Sequence, residues 1–457
     1  MGSDGWESIS LRQAGVDLID CEHRTPPAES SGFPYIAIPQ LKDGHLELKG
    51  ARLISRDSLA EWTRKAKPEE GDIVLSRRCN PGDTAVVPNG LECALGQNLV
   101  LLRADGTRVS PSFLRWLVRS PAWWEQVALY INAGAVFDSL KCADIPSFRL
   151  PIPSMAEQDR ISEVLDTLDD KIERNRRMNR TLESIARAIF RSWFVDFDPV
   201  RRTMEVGEVG LPPDVAALFP DSFEESALGQ LPAGWAIKTI ENVAERVAMG
   251  PFGSSIKVET LVPDGVPVIN GQQLGGLTLE DASYRFVTKA HADELSRANV
   301  KRGDIVLTHR GTLGQAAFIA ESSLYERYVV SQSQFYLRCD LEQVNPAFIV
   351  LYFHSDAGRH ALLANRSSSG VPSIARPVTY LRSIRLLIPP KPVMDAFGEL
   401  VTPLFELARQ RSASNRTAAS LRDALLPRLL DGRLSAVARD LPNSMEASGP
   451  CLVQKHP

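Results

Sequence analysis

The sequence predicts an α+β protein: two copies of one α/β domain, separated by two long helices that form an antiparallel coiled coil. Three observations predict it. Ordered pairs of motifs stand a nearly constant 229 to 236 positions apart. An unbroken heptad seam follows the first copy. Within each copy, β-rich segments come before helical ones.

The duplication is clearest in EEGDIVLSRR (69–78) and KRGDIVLTHR (301–310), whose Gly71 and Gly303 stand 232 positions apart. Gly5-Trp6 is matched by Gly234-Trp235, GQNLVLLRAD (96–105) by VSQSQFYLRCD (330–340), VSPSFL (109–114) by VNPAFI (344–349), and RLPIP (149–153) by RLLIP (385–389). The period is too long for a solenoid, so a whole unit is repeated. GDIVLS reads as a turn entering a short strand, and NLVLLR and QFYLR as further strands. SPSFLRWL and NPAFIVLYF read as helices, each with Ser or Asn before a proline at its start.

The expected layout is a domain over 1–150, a long helix over 151–198, a linker over 199–232, a second domain over 233–385, a distal long helix over 386–434, and a disordered tail over 435–457. In the first long helix Ile161, Leu165, Leu168, Ile172, Asn175, Asn179, Leu182, Ala186, Ile189 and Trp193 alternate steps of four and three. Such a seam calls for a partner helix, and its two asparagines trade packing for register. The copy of the seam carries Phe397, Val401, Leu404, Ala408, Arg411, Asn415, Ala418, Arg422, Leu425 and Leu429. It is the simplest partner for the first, although Pro403 is expected to kink or restart that helix and Pro427 to interrupt its end. A helix of this length makes a rod of roughly 60 Å.

Composition narrows the function. Hydrophobic residues make up 44% and charged residues 24% of 457 residues, as in a globular protein. No apolar run reaches the roughly 18 residues a membrane span needs, and MGSDGWESIS carries no signal pattern, so a cytoplasmic location is expected. The net charge of −4 leaves any nucleic-acid contact to local basic patches or to partner subunits. Six cysteines without CxxC spacing argue against a zinc site and against a disulfide framework. There is no GxxxxGK[ST], no GxGxxG after a strand and no HExxH. Asp43, Glu47 and Lys49 loosely match a nuclease D…ExK pattern, but the second copy has no counterpart, and a solvated turn explains them. No catalytic residue and no metal ligand is assigned. Two domains on a rigid spacer suit a binder of a periodic target such as DNA, whose successive major-groove faces lie about 34 Å apart. An enzyme with an unrecognised nuclease or methyltransferase site, and a coiled-coil scaffold, are the competing readings.

PIPSMAEQDRISEVLDTLDDKIERNRRMNRTLESIARAIFRSWFVDFDPV (151–200), LFPDSFEESALGQLPAGW (218–235), RLLIPP (385–390) and LRDALLPRLLDGRLS (421–435) bring a family into view. Across almost its whole length the chain resembles the specificity subunits of Type I DNA restriction–modification enzymes. The resemblance implies two target recognition domains, each reading one half of a split site in double-stranded DNA. It implies helices that set the spacing and dock two methyltransferase (modification) subunits, with restriction/translocase subunits joining them. It also implies a non-catalytic chain, with S-adenosylmethionine, ATP and Mg²⁺ belonging to the partner subunits.

Within the copies, Arg77, Arg78 and Arg310 leave repeated strands where a phosphate or a guanine edge can be met. Gln97, Asn98, Gln272, Gln273, Gln332 and Gln334 have the chemistry to read adenine edges. Gly250, Gly253 and Ser254 in GPFGSSIK offer backbone amides to a phosphate. Lys171, Arg174, Arg176, Arg177, Arg180, Arg187 and Arg191 decorate the central helix, chiefly as solvated or ion-paired faces. Trp193, Phe194 and Phe197 form an aromatic cluster suited to a domain core or to a docking surface for a partner.

Overall fold

A computed structural model describes residues 6–133, 138–206, 210–226, 229–251, 255–281, 283–367, 370–432 and 434. The chain divides into two compact units. One is Met1–Ile172 with Thr417–Pro457, and the other is Glu173–Arg416. Each unit combines one copy of the repeated domain with a stretch of each long helix.

In the first unit a six-stranded sheet runs in the order Val16–Asp20, Leu99–Ala104, Ile73–Ser76, Thr84–Val86, Gly44–Leu46, Leu41–Lys42. A smaller sheet places Phe33–Ile36 between Arg52–Ile54 and Ala94–Leu95. Ile73–Ser76 is buried at all four positions, which is why it reads as a continuous apolar run and not as an alternating one. In the second unit Ala244–Met249, Gln334–Cys339, Asp304–Thr308 and Ala316–Phe318 form the matching ladder. Val266–Ile269 there lies between Arg285–Val287 and Arg327–Val330 in a five-stranded sheet, as Phe33–Ile36 lies between two neighbours in the first unit.

The duplication extends to register. Leu99 faces Ser76 where Gln334 faces Thr308. Tyr35 faces Arg52 and Ala94 where Val268 faces Arg285 and Val329. Helices follow the last ladder strand in both units. The Ser110 and Asn345 side chains cap Pro111–Leu117 and Pro346–His354, satisfying first-turn amides that have no partner inside the helix.

The long helices are Met155–Phe194 and Lys391–Leu430. Along the predicted seam Ile161, Leu165, Ile172, Leu182, Ala186 and Trp193 are buried, while Leu168, Asn179 and Ile189 are partly covered. In the first unit Ile161 and Leu165 join one apolar cluster with Leu426, Leu429 and Leu430, against which Leu425 packs. In the second unit Phe190, Trp193 and Phe194 share a core with Phe397, Val401 and Phe405, with Ile189 and Leu404 at its margin. In that unit the Asn175 amide donates to the Asn415 side chain (2.8 Å), and the Asn179 amide donates to Ser412 Oγ (2.9 Å) and to the Ala408 carbonyl (3.0 Å). Residue numbers rise on one helix as they fall on the other, so the two stretches run antiparallel.

One expectation is corrected. The distal helix passes through both Pro403 and Pro427 without a break. Pro403 and Glu399, whose carbonyl loses its helical donor, are both exposed, so water can take the vacant bond. The span expected as a linker, 199–232, carries regular elements among its described residues. It contains the helix Asp198–Val206 and the hairpin strands Phe223–Ser226 and Gly229–Pro232, and it buries Val200 and Phe219 beside Trp193. Residues 435–457 lie outside the described residues.

Candidate nucleic-acid interface

The repeated GDIV motif is explained by the carboxylate buried beneath it. Asp72 and Asp304 are 2% and 0% exposed. Arg103 reaches Asp72 through Nε (2.7 Å) and Nη2 (2.7 Å), and Arg338 grips Asp304 with the same two atoms at the same distances. Each aspartate also accepts a backbone amide three residues earlier, from Glu69 (2.8 Å) and Lys301 (2.9 Å). Gly71 and Gly303 close these turns at φ of +83° and +87°, a region that disfavours a side chain. A buried carboxylate is tolerable because a bidentate guanidinium and an amide replace its water.

This box aims the strand exit at a neighbouring loop. The Arg77 amide donates to the Asn98 carbonyl (2.9 Å), as the His309 amide donates to that of Ser333 (3.0 Å). Arg78 and Arg310 are the matching exposed exits, bridged to Ser139 and Ser373. Arg77 is half-buried, and its Nε has no hydrogen-bond partner among the described residues.

A histidine pins the loop carbonyl in each unit. His23 Nδ1 lies 3.0 Å from the Gln97 carbonyl, and His309 Nε2 lies 3.0 Å from that of Gln332. Burial holds the His309 ring below the usual histidine range, which keeps it neutral. His23 also bonds Asp20 (3.0 Å), and the ligand atoms of Asp20, Cys21 and His23 lie within 4.8 Å of one another. Burial raises the Cys21 thiol to about 11, and it donates to the carbonyls of Gly96 (3.2 Å) and Leu99 (2.9 Å). The trio therefore ties down the loop and does not present a thiolate ligand.

Gln97, Gln272 and Gln332 are exposed, and Asn98 is half-buried. Gln97 and Asn98 line a cleft of about 500 Å³ with Arg52, and Gln332 lines one of about 240 Å³ with Arg285. Gln273 and Gln334 do not fit a base-reading role. Gln273 is fully buried, accepting from the Asn270 amide (2.9 Å) and donating to the Ser283 carbonyl (3.2 Å). Gln334 is 1% exposed and accepts from Ser331 Oγ. Both amides satisfy the fold, and exposing them would unmake these bonds. Gly250 is buried as well, donating to the Gln334 carbonyl (2.9 Å), so its amide is not open to a phosphate. Gly253 and Ser254 lie outside the described residues.

The aromatic cluster belongs to the core. Trp193 and Phe194 are 2% and 8% exposed, and Phe194 stacks edge-on to Phe348 and Phe397, both at 4.9 Å. On the central helix Arg176, Arg187 and Arg191 pair with Glu173, Glu183 and Asp196.

Sequence reasoning missed two buried charge clusters. In the first unit Asp169 accepts from Arg115, from Arg422 (2.7 Å) and from His45 (2.9 Å). Burial opposes its ionisation, but the His45 hydrogen bond and the surrounding cations outweigh that and hold the carboxyl well below its usual range. In the second unit Asp281 accepts from Arg409 and from Tyr284 (2.8 Å), with Arg416 at 3.5 Å. A charged residue on a long helix resembles a solvated face until its neighbours are known. Arg52 and Arg285 were also missed, although ARLIS and YRFVT, 233 positions apart, carry the signal.

Comparison with known proteins agrees with this architecture. A family model described as "Type I restriction modification DNA specificity domain" matches residues 22–184. Over those residues the chain is similar to that specificity domain. Two Type I specificity subunits match most of this chain. The Type I restriction enzyme MjaIX specificity subunit of Methanocaldococcus jannaschii is 25% identical over 89% of this chain and 85% of that protein. The HindI specificity subunit of Haemophilus influenzae is 24% identical over 80% of this chain and 87% of its own. The crystal structure of the Type-I system S subunit from M. genitalium shares the fold, with a TM-score of 0.53 at 15% identity over 93% of this chain and 96% of that one. In this chain no described helix is long and apolar enough to cross a membrane.

Proposed function

We propose that this chain is the sequence-specific DNA-binding subunit of a Type I restriction–modification complex. Each copy of the repeated domain reads one half of a bipartite duplex site, and the helices dock two methyltransferase subunits. Restriction/translocase subunits complete the assembly. S-adenosylmethionine, ATP and Mg²⁺ are handled by those partners, and the chain itself catalyses nothing. In this reading the two long helices form the coil that sets the spacing between half-sites, and the assembly works in the cytoplasm.

One observation carries the reading. Two domains share strand register, the buried Asp–Arg box and a cleft rimmed by arginine and glutamine, yet differ in the side chains beside them. A common frame with divergent rims suits two readers of unlike half-sites. A scaffold role for the helices does not account for basic, amide-rich clefts repeated in both domains.

The test is methylome mapping of the host with and without this chain. Loss of a single bipartite adenine-methylation motif is expected. An unchanged methylome in a host whose methyltransferase partner is expressed would refute the reading.

A further inference from the structure

We infer that the duplicated cleft is where each domain reads base edges, with Arg52 and Gln97 as the reading pair in the first unit and Arg285 and Gln332 in the second. The inference rests on the specificity reading above and goes further, by naming the residues that set the sequence.

The correspondence is structural and does not depend on matching strings. Arg52 lies opposite Tyr35 in an antiparallel pair, and Arg285 lies opposite Val268 in the same pair of the other unit. On the far side of the central strand, Tyr35 pairs in parallel with Ala94 and Val268 with Val329. The next loop carries Gln97 and Gln332, and each lines one cleft together with its arginine. Arg52, Arg285, Gln97 and Gln332 are all exposed.

The chemistry points to nucleobases. Arginine matches the O6/N7 edge of guanine, and a glutamine or asparagine amide matches N6/N7 of adenine. Both loops are held before any ligand arrives. The Asn98 and Ser333 carbonyls, which accept from the backbone amides of Arg77 and His309, and the His23 and His309 rings at the glutamine carbonyls fix the main chain, while the glutamine side chains stay exposed. Pre-ordering of this kind lowers the entropic cost of binding and sharpens discrimination. Phosphate clamping alone needs neither a planar amide nor a pinned loop.

The clefts also differ where specificity should differ. Beside the shared pair stand Asn98 in one and Ser333 in the other, and Ala37 in one and Asn270 in the other. The shared arginine and glutamine supply a common anchor, and the variable neighbours select among the remaining bases.

The experiment uses the full chain co-expressed with its methyltransferase partner and a randomised duplex library, read by sequencing the bound and methylated fractions. N98S and R52Q should change base preference in one half-site and leave the other intact. S333N and R285Q should do the reverse. R52Q and R285Q should each reduce discrimination at one position roughly tenfold. Far-UV circular dichroism and thermal melts unchanged from wild type show that the substitutions leave the fold in place. A wild-type motif that survives all four substitutions overturns the assignment while leaving the specificity reading intact. A uniform loss of affinity with unchanged preference also overturns it, making the cleft a phosphate clamp. A wild-type chain that selects no motif overturns the specificity reading and this assignment together.

Discussion

Replacing Asp169 with asparagine should unfold the first unit well before the second. The carboxylate is 1% exposed and holds together four parts of that unit: His45 beside a strand turn, Arg115 on the helix after the ladder, its own central helix, and Arg422 on the distal helix. Arg119 is half-buried nearby, and desolvation together with the charges of Arg422 and Arg115 already depresses its pKa. D169N keeps the shape but leaves these cations facing a neutral amide. Removing one partner of a buried ion pair costs about 3–5 kcal/mol, because the remaining charge stays desolvated. With a urea slope of about 3 kcal/mol/M for a unit of this size, the midpoint should fall by about 1–2 M. Tryptophan fluorescence is a suitable probe, since Trp6, Trp62, Trp116, Trp123 and Trp124 all lie in the first unit. The pH dependence has a definite sign. Because the folded carboxyl titrates below its unfolded value of about 3.9, its contribution is present above that pH and is lost as the pH falls toward the folded value. The gap between wild type and D169N should therefore be full at pH 7 and shrink below about pH 4. A midpoint within about 0.3 M of wild type at pH 7 would refute the reasoning.

In the second unit, R409M should leave Asp281 buried against Tyr284 and lower stability by about 3–5 kcal/mol, read by urea unfolding; a loss under about 1 kcal/mol would show that Arg416 compensates. D72N and D304N should each cost about 2–3 kcal/mol by weakening a bidentate guanidinium bond, and hydrogen exchange should rise at the strand exit of the substituted unit while the other unit stays protected. G250A should destabilise the second unit and weaken DNA binding, because a Cβ there would lie 1.9 Å from the Ser331 carbonyl oxygen and push the Gln332 loop. Wild-type melting and binding by G250A would show that the loop absorbs the methyl group.

Much of the architecture was legible because it is written in local patterns. Helical periodicity revealed the seam from Ile161 to Trp193, and most of those positions are buried. The Ser and Asn caps before Pro111 and Pro346 marked real helix starts. Repeated short motifs exposed the duplication, down to the aspartates whose buried role the sequence left unstated. Illegible features depend on partners distant in the chain. Pro403 looked like a break because a residue-level rule cannot show that the carbonyl it leaves vacant, on Glu399, sits on an exposed residue. Gln273 and Gln334 looked like readers of DNA because an amide that caps its own loop has the same composition as one that faces outward.

The order of residues alone determined the twofold repeat and the two long helices, since each rests on spacing that survives without coordinates. Tertiary structure alone decided which polar side chains are spent inside and which remain available. It buried Asp169 and Asp281 among arginines, turned Gln334 inward, and brought Arg52 and Gln97 to one cleft. The physical reason is that periodicity along a chain sets which face of an element is apolar. The worth of a charge or an amide is set by the groups that replace its water, and folding gathers those from remote parts of the sequence.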